Sequence, residues 1–369
     1  MTPPTGWFVP EALYWQGALL RGVSVHLQEG KVVEITHASI PDALQVEGLL
    51  TPAWVNAHTH LELSHLRGKL PRGRGMVDFL EAMGPGRGQA SPEIIYQALH
   101  EAAQAGTWAF VSHQNVPLPP EAIPSRVQVY PLTEYFGLRR NGARRRWKAL
   151  RRWGYPLTPH SFYALSRPLL RRVRRFTAFP RSLHFYESVE ERLWLEGGKG
   201  PFKRFFRRFV ARPYPPRWRY WLSQAYRRTP ALWLIHAAEL PASLAEILLH
   251  RYPRLYFVLC PEANAYLFRR GPALSFWRRY PHRLLLGTDS LANSPSLSVW
   301  EPLRRLLLAG FHWEEALLAV VDTPRRWVAV PPFWVQVAPL SERLSLLPQT
   351  QPKTFALRAT IAEKGFSAR

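Results

Sequence analysis

The chain has 369 residues, 47% of them apolar, and carries 49 basic against 26 acidic residues, a net charge of +23. Its single cysteine, Cys260, excludes an intrachain disulfide framework, multi-cysteine zinc or iron–sulfur sites, and the H-x-E…P-C-x-x-C signature of the small zinc deaminases. The length suits one domain of about 250 residues plus an accessory piece, and any metal must be held by histidine and carboxylate.

The first residues, MTPPTGWFVPEALYW, lack the basic-then-apolar layout of a signal peptide. No apolar run reaches about 18 residues, so a cytoplasmic protein with no transmembrane segment is expected. Residues 7 to 50 read as short strands broken by Gly, Pro and Asp: Ala18 to Leu27, Lys31 to Thr36 and Leu44 to Leu49. They predict the N-terminal part, residues 1–50, of a small β-sandwich. From there to about residue 325, strand-like runs alternate with helical patterns. The eight runs are LLTPAWVNAHTH, TWAFVSHQN, VQVYPLTEY, YPLTPHSFYAL, SLHFYES, ALWLIHA, LYFVLCPEAN and LLLGTDS. Eight such runs predict an α/β fold, a (β/α)8 TIM barrel over residues 51–325. Helix signals fall between them: Ser91-Pro92-Glu93 opens a run to Ala105 before Gly106, and Ser296 to Ala309 ends at Gly310. Beyond Pro331 the pattern is β again, in FWVQVAP, RLSLLP and KTFALRATIA. Residues 326–369 are therefore expected to complete the divergent sandwich.

Three basic clusters run from Arg139 to Arg152, Arg167 to Arg181 and Lys203 to Arg219, the last with interleaved aromatics. They suit an anionic partner surface, nucleic acid or membrane, or the attraction of an anionic substrate. Solvated helical faces in an arginine-rich chain explain them more simply, and nucleic acid is not an expected partner.

The stretch Asn56-Ala57-His58-Thr59-His60-Leu61-Glu62-Leu63 closes the first of the eight runs. Side chains i and i+2 share one face of a strand, so both imidazoles can address one metal ion. Alone the pair is weak; its weight comes from the other run ends. His113 ends the second run, His160 the fourth, His184 the fifth, His236 the sixth and Asp289 the eighth, and catalytic side chains of a barrel sit at such ends. Taken singly, His113, His160 and His236 read equally as hydrogen-bonded core histidines or substrate contacts, and Asp289 as a helix cap. A catalytic divalent metal needs three or four such ligands and an open position, and it generates a nucleophile from water near neutral pH. Hydrolytic deamination also needs a proton shuttle, which Glu187, three residues past His184, can provide. Its alternative is a carboxylate favoured by a helix N-terminus, a role that Glu190 and Glu191 suit better.

On the stretches VNAHTHLELSHLRGKLPRGRGMVDFL, LTEYFG, LTPHSFYALS, LHFYESVEERLWLEGGKGPF, LCPEANAYL and LLLGTDSLANSPSLS, the chain resembles the amidohydrolase superfamily. The likeness falls in its chlorohydrolase and nucleoside-deaminase branch, and more narrowly in the bacterial aminodeoxyfutalosine deaminase-like hydrolases. The resemblance implies His58, His60, His184 and Asp289 as metal ligands, with Asp289 also counted among the catalytic groups. It implies Glu187 as proton shuttle, His236 as the group orienting the attacking water and His160 as a histidine facing the substrate; His113 and Asn264 are expected as further substrate contacts. Lysine is absent from the fourth run, where binuclear members carry one, so a single divalent metal is implied, Zn²⁺ first and Fe²⁺ as the alternative.

Three departures stand out: Ala237-Ala238-Glu239-Leu240 after the sixth-run histidine, Asp322-Thr323-Pro324-Arg325-Arg326 near the barrel's end, and the loss of a glycine- and aspartate-rich return to the sandwich. The implied reaction is deamination of an adenine-type nucleoside, with 6-amino-6-deoxyfutalosine, an intermediate of an alternative menaquinone route, as candidate. Hydrolysis of another C–N or C–Cl bond (guanine, cytosine, triazine, cyclic amide) and a non-catalytic basic binding protein are the alternatives. The expected partner is a small heterocyclic substrate, and a homodimer is compatible with the sequence.

Overall fold

The computed structural model describes residues 2–84, 90–175, 179–269 and 271–337, together with the backbone of 353–355. Seven strands form one mixed sheet: β1 (Gly6–Trp15), β2 (Ala18–Leu20), β3 (Ser24–Gln28), β4 (Lys31–Thr36), β5 (Leu44–Pro52), and two strands late in the chain, β14 (Trp334–Val337) and β15 (Lys353–Phe355). Their order is β15-β14-β5-β1-β3-β4, with β2 hairpinned onto β1. β1 and β5 are parallel, while β14 runs antiparallel to β5, Val335 opposite Thr51. Phe8, Leu13, Val25, Leu27, Leu50 and Trp334 make the buried cluster of this sheet. The sequence reading expected a sandwich; among the described residues these strands form one hydrogen-bonded sheet. RLSLLP and all but the first three residues of KTFALRATIA lie outside the described residues.

The eight expected runs become β6 (Trp54–Thr59), β7 (Thr107–Gln114), β8 (Gln128–Tyr135), β9 (Leu157–Pro159), β10 (Arg181–Phe185), β11 (Leu232–His236), β12 (Leu255–Leu259) and β13 (Leu284–Leu286). They pair as two parallel four-stranded sheets, β6-β7-β8-β9 and β10-β11-β12-β13. All eight residues of β7 are buried, the condition in which a parallel strand reads as an unbroken apolar run. Single parallel bridges join the two sheets at both ends, Ser161 to His184 and Thr59 to Asp289. Val55, Val111, Leu132, Trp233, Val258 and Leu285, from six of these strands, share one buried cluster. The run LLTPAWVNAHTH is two strands rather than one: Leu49–Pro52 belong to β5 of the mixed sheet, and β6 starts at Trp54.

The helices are α1 (Met76–Met83), α2 (Pro92–Gln104), α3 (Ala143–Arg151), α4 (Arg167–Leu170), α5 (Val189–Gly197), α6 (Pro201–Arg207), α7 (Trp218–Tyr226), α8 (Ala242–Arg251), α9 (Pro261–Phe268), α10 (Leu274–Trp277), α11 (Trp300–Leu308), α12 (Trp313–Leu318) and α13 (Asp322–Arg325). α2 shows the sequence logic plainly. Pro92 occupies its first turn, and Ile95, Ala98, Leu99, Ala102 and Ala103 are its buried face, at the i, i+3, i+4, i+7, i+8 spacing of an amphipathic helix. α11 starts four residues later than expected. Ser296 Oγ accepts the Ser298 amide at 3.0 Å and Ser298 Oγ the Trp300 amide at 3.3 Å, local bonds that compete with helix.

The departing segment Asp322–Arg325 is a short helix that ties the mixed sheet to the parallel strands. The buried Tyr14 hydroxyl of β1 donates to Asp322 Oδ2, and Arg325 Nη2 donates to the Ala53 carbonyl at 2.8 Å. Tyr14→Phe leaves a carboxylate oxygen without its donor. Urea unfolding is expected to show a loss of about 1–3 kcal/mol, and an unchanged midpoint would remove this bond from the account.

Candidate metal centre

The ends of the parallel strands converge on one buried cluster. His58 lies in β6 and His60 just past it, His184 in β10, His236 at the last position of β11, and Asp289 three residues beyond β13. Ligand atoms of His58, His60, His184 and Asp289 all lie within 4.8 Å of one another. His58 Nε2 stands 3.4 Å and His60 Nε2 3.7 Å from Asp289 Oδ1. Donors bound tetrahedrally at about 2.1 Å stand about 3.4 Å apart, so the set has the spacing of a metal-ligand shell. His58 Nε2, buried, has no hydrogen-bond partner. Asp289 Oδ2 is occupied by Asn293 Nδ2, which leaves Oδ1 to face the histidines. The residues fit a divalent cation.

The backbone is shaped for this convergence. A Cβ on Gly287 would come within 2.8 Å of His58 Cβ and 2.9 Å of its carbonyl, so glycine lets the chain before Asp289 close on β6. Asp289 (φ +64°), His236 (φ +73°), Ala237 (φ +51°) and Tyr186 (φ +52°) all adopt left-handed conformations, each unfavourable for a side-chain-bearing residue by about 1–3 kcal/mol. The Ala237–Leu240 departure lies in this turn, where the Ala237 amide donates to the Phe185 carbonyl at 3.1 Å and that of Glu239 to Tyr186 at 2.9 Å. Asp289 caps no helix: the next one, α11, begins at Trp300.

Hydrogen bonds behind the ring set its tautomers. His184 Nδ1 meets the His160 carbonyl at 2.9 Å, so it is the donor and Nε2 is left free. His58 Nδ1 lies 2.9 Å from His113 Nδ1, and His113 Nε2 lies 2.6 Å from Ser182 Oγ. With His58 presenting Nε2 to a metal, the protons run from His58 to His113 to Ser182, the outer support that metal-binding imidazoles require. His113, expected to touch substrate, is fully buried with both ring nitrogens engaged by protein. Asn264, on α9, is likewise buried, and its Nδ2 reaches the Glu187 carbonyl at 3.5 Å. The geometry therefore gives both residues supporting positions behind the ring. His160 differs: it is half-buried and lines a cavity of about 860 Å³.

Glu134, at the end of β8, received no role from the sequence. Its Oε2 accepts from His160 Nδ1 at 3.1 Å, and its Oε1 lies 3.6 Å from His184 Nδ1. Asn115 Nδ2 joins it to Glu62, at 3.3 and 2.9 Å. Burial disfavours the charge on Glu134, but His160, His60 and His184 outweigh it and hold the carboxyl well below its usual range. Burial alone would also raise Asp289; His236, His60 and His184 reverse this and keep it ionised. Burial lowers His58 and His184 well below 6.5 and takes His236 to about 4, leaving the neutral imidazoles that metals bind. His60 goes the other way. Burial works against its cation, yet Glu134, Glu62 and Asp289 lift it to about 9, so the carboxylates of the site call for a positive charge between them.

Glu187 sits on the flank of the cluster. Its Oε1 is 3.4 Å from His236 Nε2, which is itself 4.0 Å from Asp289 Oδ2. Burial first, then the charges of Asp289, Glu191 and Glu134, push its carboxyl well above 4.5, which favours its acid form. The helix-terminal role falls to its neighbours: Glu190 and Glu191 occupy the first turn of α5, and the N-cap Ser188 Oγ accepts the Glu191 amide at 3.0 Å. Burial pushes Glu191 up to about 7, with the amides of Glu187 and Tyr186 pulling down. A carboxyl whose folded pKa is raised contributes fully below its unfolded value near 4.5 and loses that contribution as pH climbs through 7. Between pH 4.5 and 7, wild type should lose up to about 3 kcal/mol that Glu191→Gln keeps. Denaturant unfolding at both ends of that window checks this; identical pH slopes would contradict it.

No family model matches this chain. It is 24% identical over 282 residues to an aminodeoxyfutalosine deaminase from a Nitratiruptor species, covering 70% of this chain and 67% of that one. Among solved structures, Helicobacter pylori aminofutalosine deaminase in complex with methylthio-coformycin superposes with a TM-score of 0.71 at 20% identity, over 87% of this chain and 86% of that one. An adenosine deaminase from Xanthomonas campestris with bound zinc gives 0.62 at 18% identity, over 92% and 87%. The chain thus shares the fold of these deaminases, and it matches a deaminase relative over about two thirds of that relative's length.

Proposed function

We propose that the protein is a metal-dependent hydrolase that deaminates an adenine-type nucleoside, with 6-amino-6-deoxyfutalosine as its substrate. The observation that carries this reading is the donor set His58, His60, His184 and Asp289, with Glu187 and His236 side by side on its edge. The two parallel sheets are read as one (β/α)8 barrel, closed by the bridges at Ser161 and Thr59, with residues 1–50 and 326–369 as its accessory part.

His58, His60, His184 and Asp289 would hold one divalent cation, Zn²⁺ before Fe²⁺ for this nitrogen-rich set. Bound there, such a cation supplies Lewis acidity and lowers the pKa of a water toward neutrality. Glu187 gives its proton to the ring nitrogen beside the amino-bearing carbon, which makes that carbon electrophilic. It then takes a proton from the attacking water and passes it to the amino nitrogen; as the C–N bond breaks and ammonia leaves, the oxygen's remaining proton returns to Glu187, which restores the acid and leaves a ring carbonyl. His236 Nε2, between Glu187 and Asp289, orients that water. Glu134 fixes His160 toward the substrate.

The cavity beside His160 supports the choice of a large substrate. Phe136, Leu138, Phe205 and Phe209 line it with the histidine, and Arg139 and Arg145 are also in its wall. That lining suits the apolar, carboxylate-bearing arm of aminodeoxyfutalosine, which is a benzoate. Ammonia release from aminodeoxyfutalosine, adenosine, methylthioadenosine and guanine tests the reading. Turnover of a chlorotriazine or an amide with none of any purine would overturn the deaminase assignment and leave a hydrolase.

A further inference from the structure

The positive charge is concentrated. Residues 139 to 228 hold 25 basic and four acidic side chains, so +21 of the net +23 falls in about a quarter of the chain. The four acids offset only a small part of that charge. Glu187 and Glu191 are buried, Glu190 accepts the Met76 amide at 2.9 Å, and Glu196 accepts the Tyr186 hydroxyl at 3.0 Å. From outside the segment, Glu81 pairs with Arg208 at 2.7 Å and Glu239 lies 3.6 Å from Arg192. Arg144, Lys148, Arg151, Arg204, Arg207 and Arg212 are exposed.

Several elements carrying this charge pack against one another. Arg172 lies over the Trp147 ring of α3 at 5.4 Å, Arg167 over Tyr214 at 4.7 Å, and Arg174 bonds the Tyr220 hydroxyl of α7. Residues of α3 and α6 both line the cavity that reaches His160. Three aromatic side chains stand out among the cations: Phe209, 44% exposed and in the cavity wall, Tyr214 at 43% and Tyr220 at 45%.

We infer that this face docks on an anionic lipid surface, with guanidinium groups on lipid phosphates and Phe209, Tyr214 and Tyr220 in the interfacial layer. Clustered arginine attracts the surface of an anionic leaflet, and half-exposed aromatic rings settle at the headgroup level. The attachment is peripheral, since no helix among the described residues is long and apolar enough to cross a membrane. Arg145 and Phe209 of this face also line the cavity beside His160, so an amphiphilic ligand would enter from the membrane side.

Nucleic acid fits the same face less well. Trp147, Trp218, Phe136 and Phe205 carry Arg172, Arg219, Arg146 and Arg208 over their rings at 4.4–5.9 Å, so these rings are not bare platforms for bases. For bidentate contacts to adenine the segment has one asparagine and one glutamine, Asn141 and Gln224.

Co-sedimentation of the full chain with phosphatidylcholine vesicles, with and without about 30 mol% phosphatidylglycerol, tests the inference without an activity assay. Expected is binding at least about tenfold tighter to the anionic vesicles at about 0.1 M salt, released at about 0.5 M. The charge-reversed triple variant R151E/R204E/R207E should lose this binding while keeping the wild-type unfolding midpoint, and Phe209→Ser should weaken it several-fold. Equal partition to neutral vesicles, no effect of Phe209→Ser, or tighter retention of a DNA duplex or RNA strand than of anionic vesicles would overturn it.

Discussion

Glu187→Gln is expected to keep its metal and to lose about 10²–10⁴-fold of its deaminase turnover, the usual worth of a general acid–base group. The change is close to isosteric. The α5 cap is independent of it, because Ser188 Oγ bonds the Glu191 amide and Glu191 Oε2 accepts the Glu187 backbone amide at 2.8 Å. Glutamine can still reach His236 but cannot lend and recover a proton. It also removes a buried acid whose ionised form is disfavoured by burial and then by Asp289 and Glu191, so the fold should tolerate it. Metal content and ammonia release measured on one preparation separate the two effects. Full turnover would remove Glu187 from the shuttle, and loss of the metal would place it among the ligands instead.

Asp289→Asn should weaken metal retention by more than about tenfold, because changes one shell further out already cost 10–100-fold. Asp289 is the sole carboxylate in the four-residue donor set, and its Oδ1 faces both His58 Nε2 and His60 Nε2, at 3.4 and 3.7 Å. An amide there brings no charge, while Asn293 still holds the other side-chain atom in place. Thermal unfolding reads the loss without a substrate. A ligand at about 100 times its Kd stabilises the native state by about 2.7 kcal/mol, so added Zn²⁺ should raise the wild-type midpoint and leave the variant's nearly unmoved. Equal shifts would show that the metal binds elsewhere.

The strand ends were legible because a parallel strand buried on both faces has few polar residues, so those that it has are conspicuous. Thr107–Gln114 and Leu232–His236 each finish an apolar run on a histidine or close to one. The i, i+2 rule then placed His58 and His60 on one side of β6. The strand boundaries were less legible. β1 was not singled out because Pro10 and Glu11 interrupt its alternation, and the β5–β6 break hides inside one apolar run. β9 has three residues where the sequence suggests more, since Pro156 and Pro159 leave few amides for a ladder.

The supporting groups were missed for a different reason. Their chemistry depends on partners distant in sequence, as with Ser182 under His113 and Glu134 between His160 and His184. A usable signal existed for some. Ser182 stands two residues before His184 and Thr158 two before His160, hence on the same strand faces as the histidines. Glu134 is a carboxylate at a strand end inside a run that otherwise buries apolar side chains. For His113 and Asn264, strand-end and helix-start positions alone could not separate a group that touches substrate from one that braces a ligand.

Metal stoichiometry measured alongside ammonia release from 6-amino-6-deoxyfutalosine tests the central claim most directly. The account predicts about one divalent ion per chain. Ammonia release should stop on chelation and return with Zn²⁺ or Fe²⁺, and His58→Ala should abolish both metal and turnover. A metal-free chain, or one that turns over the substrate equally well after chelation, would contradict it.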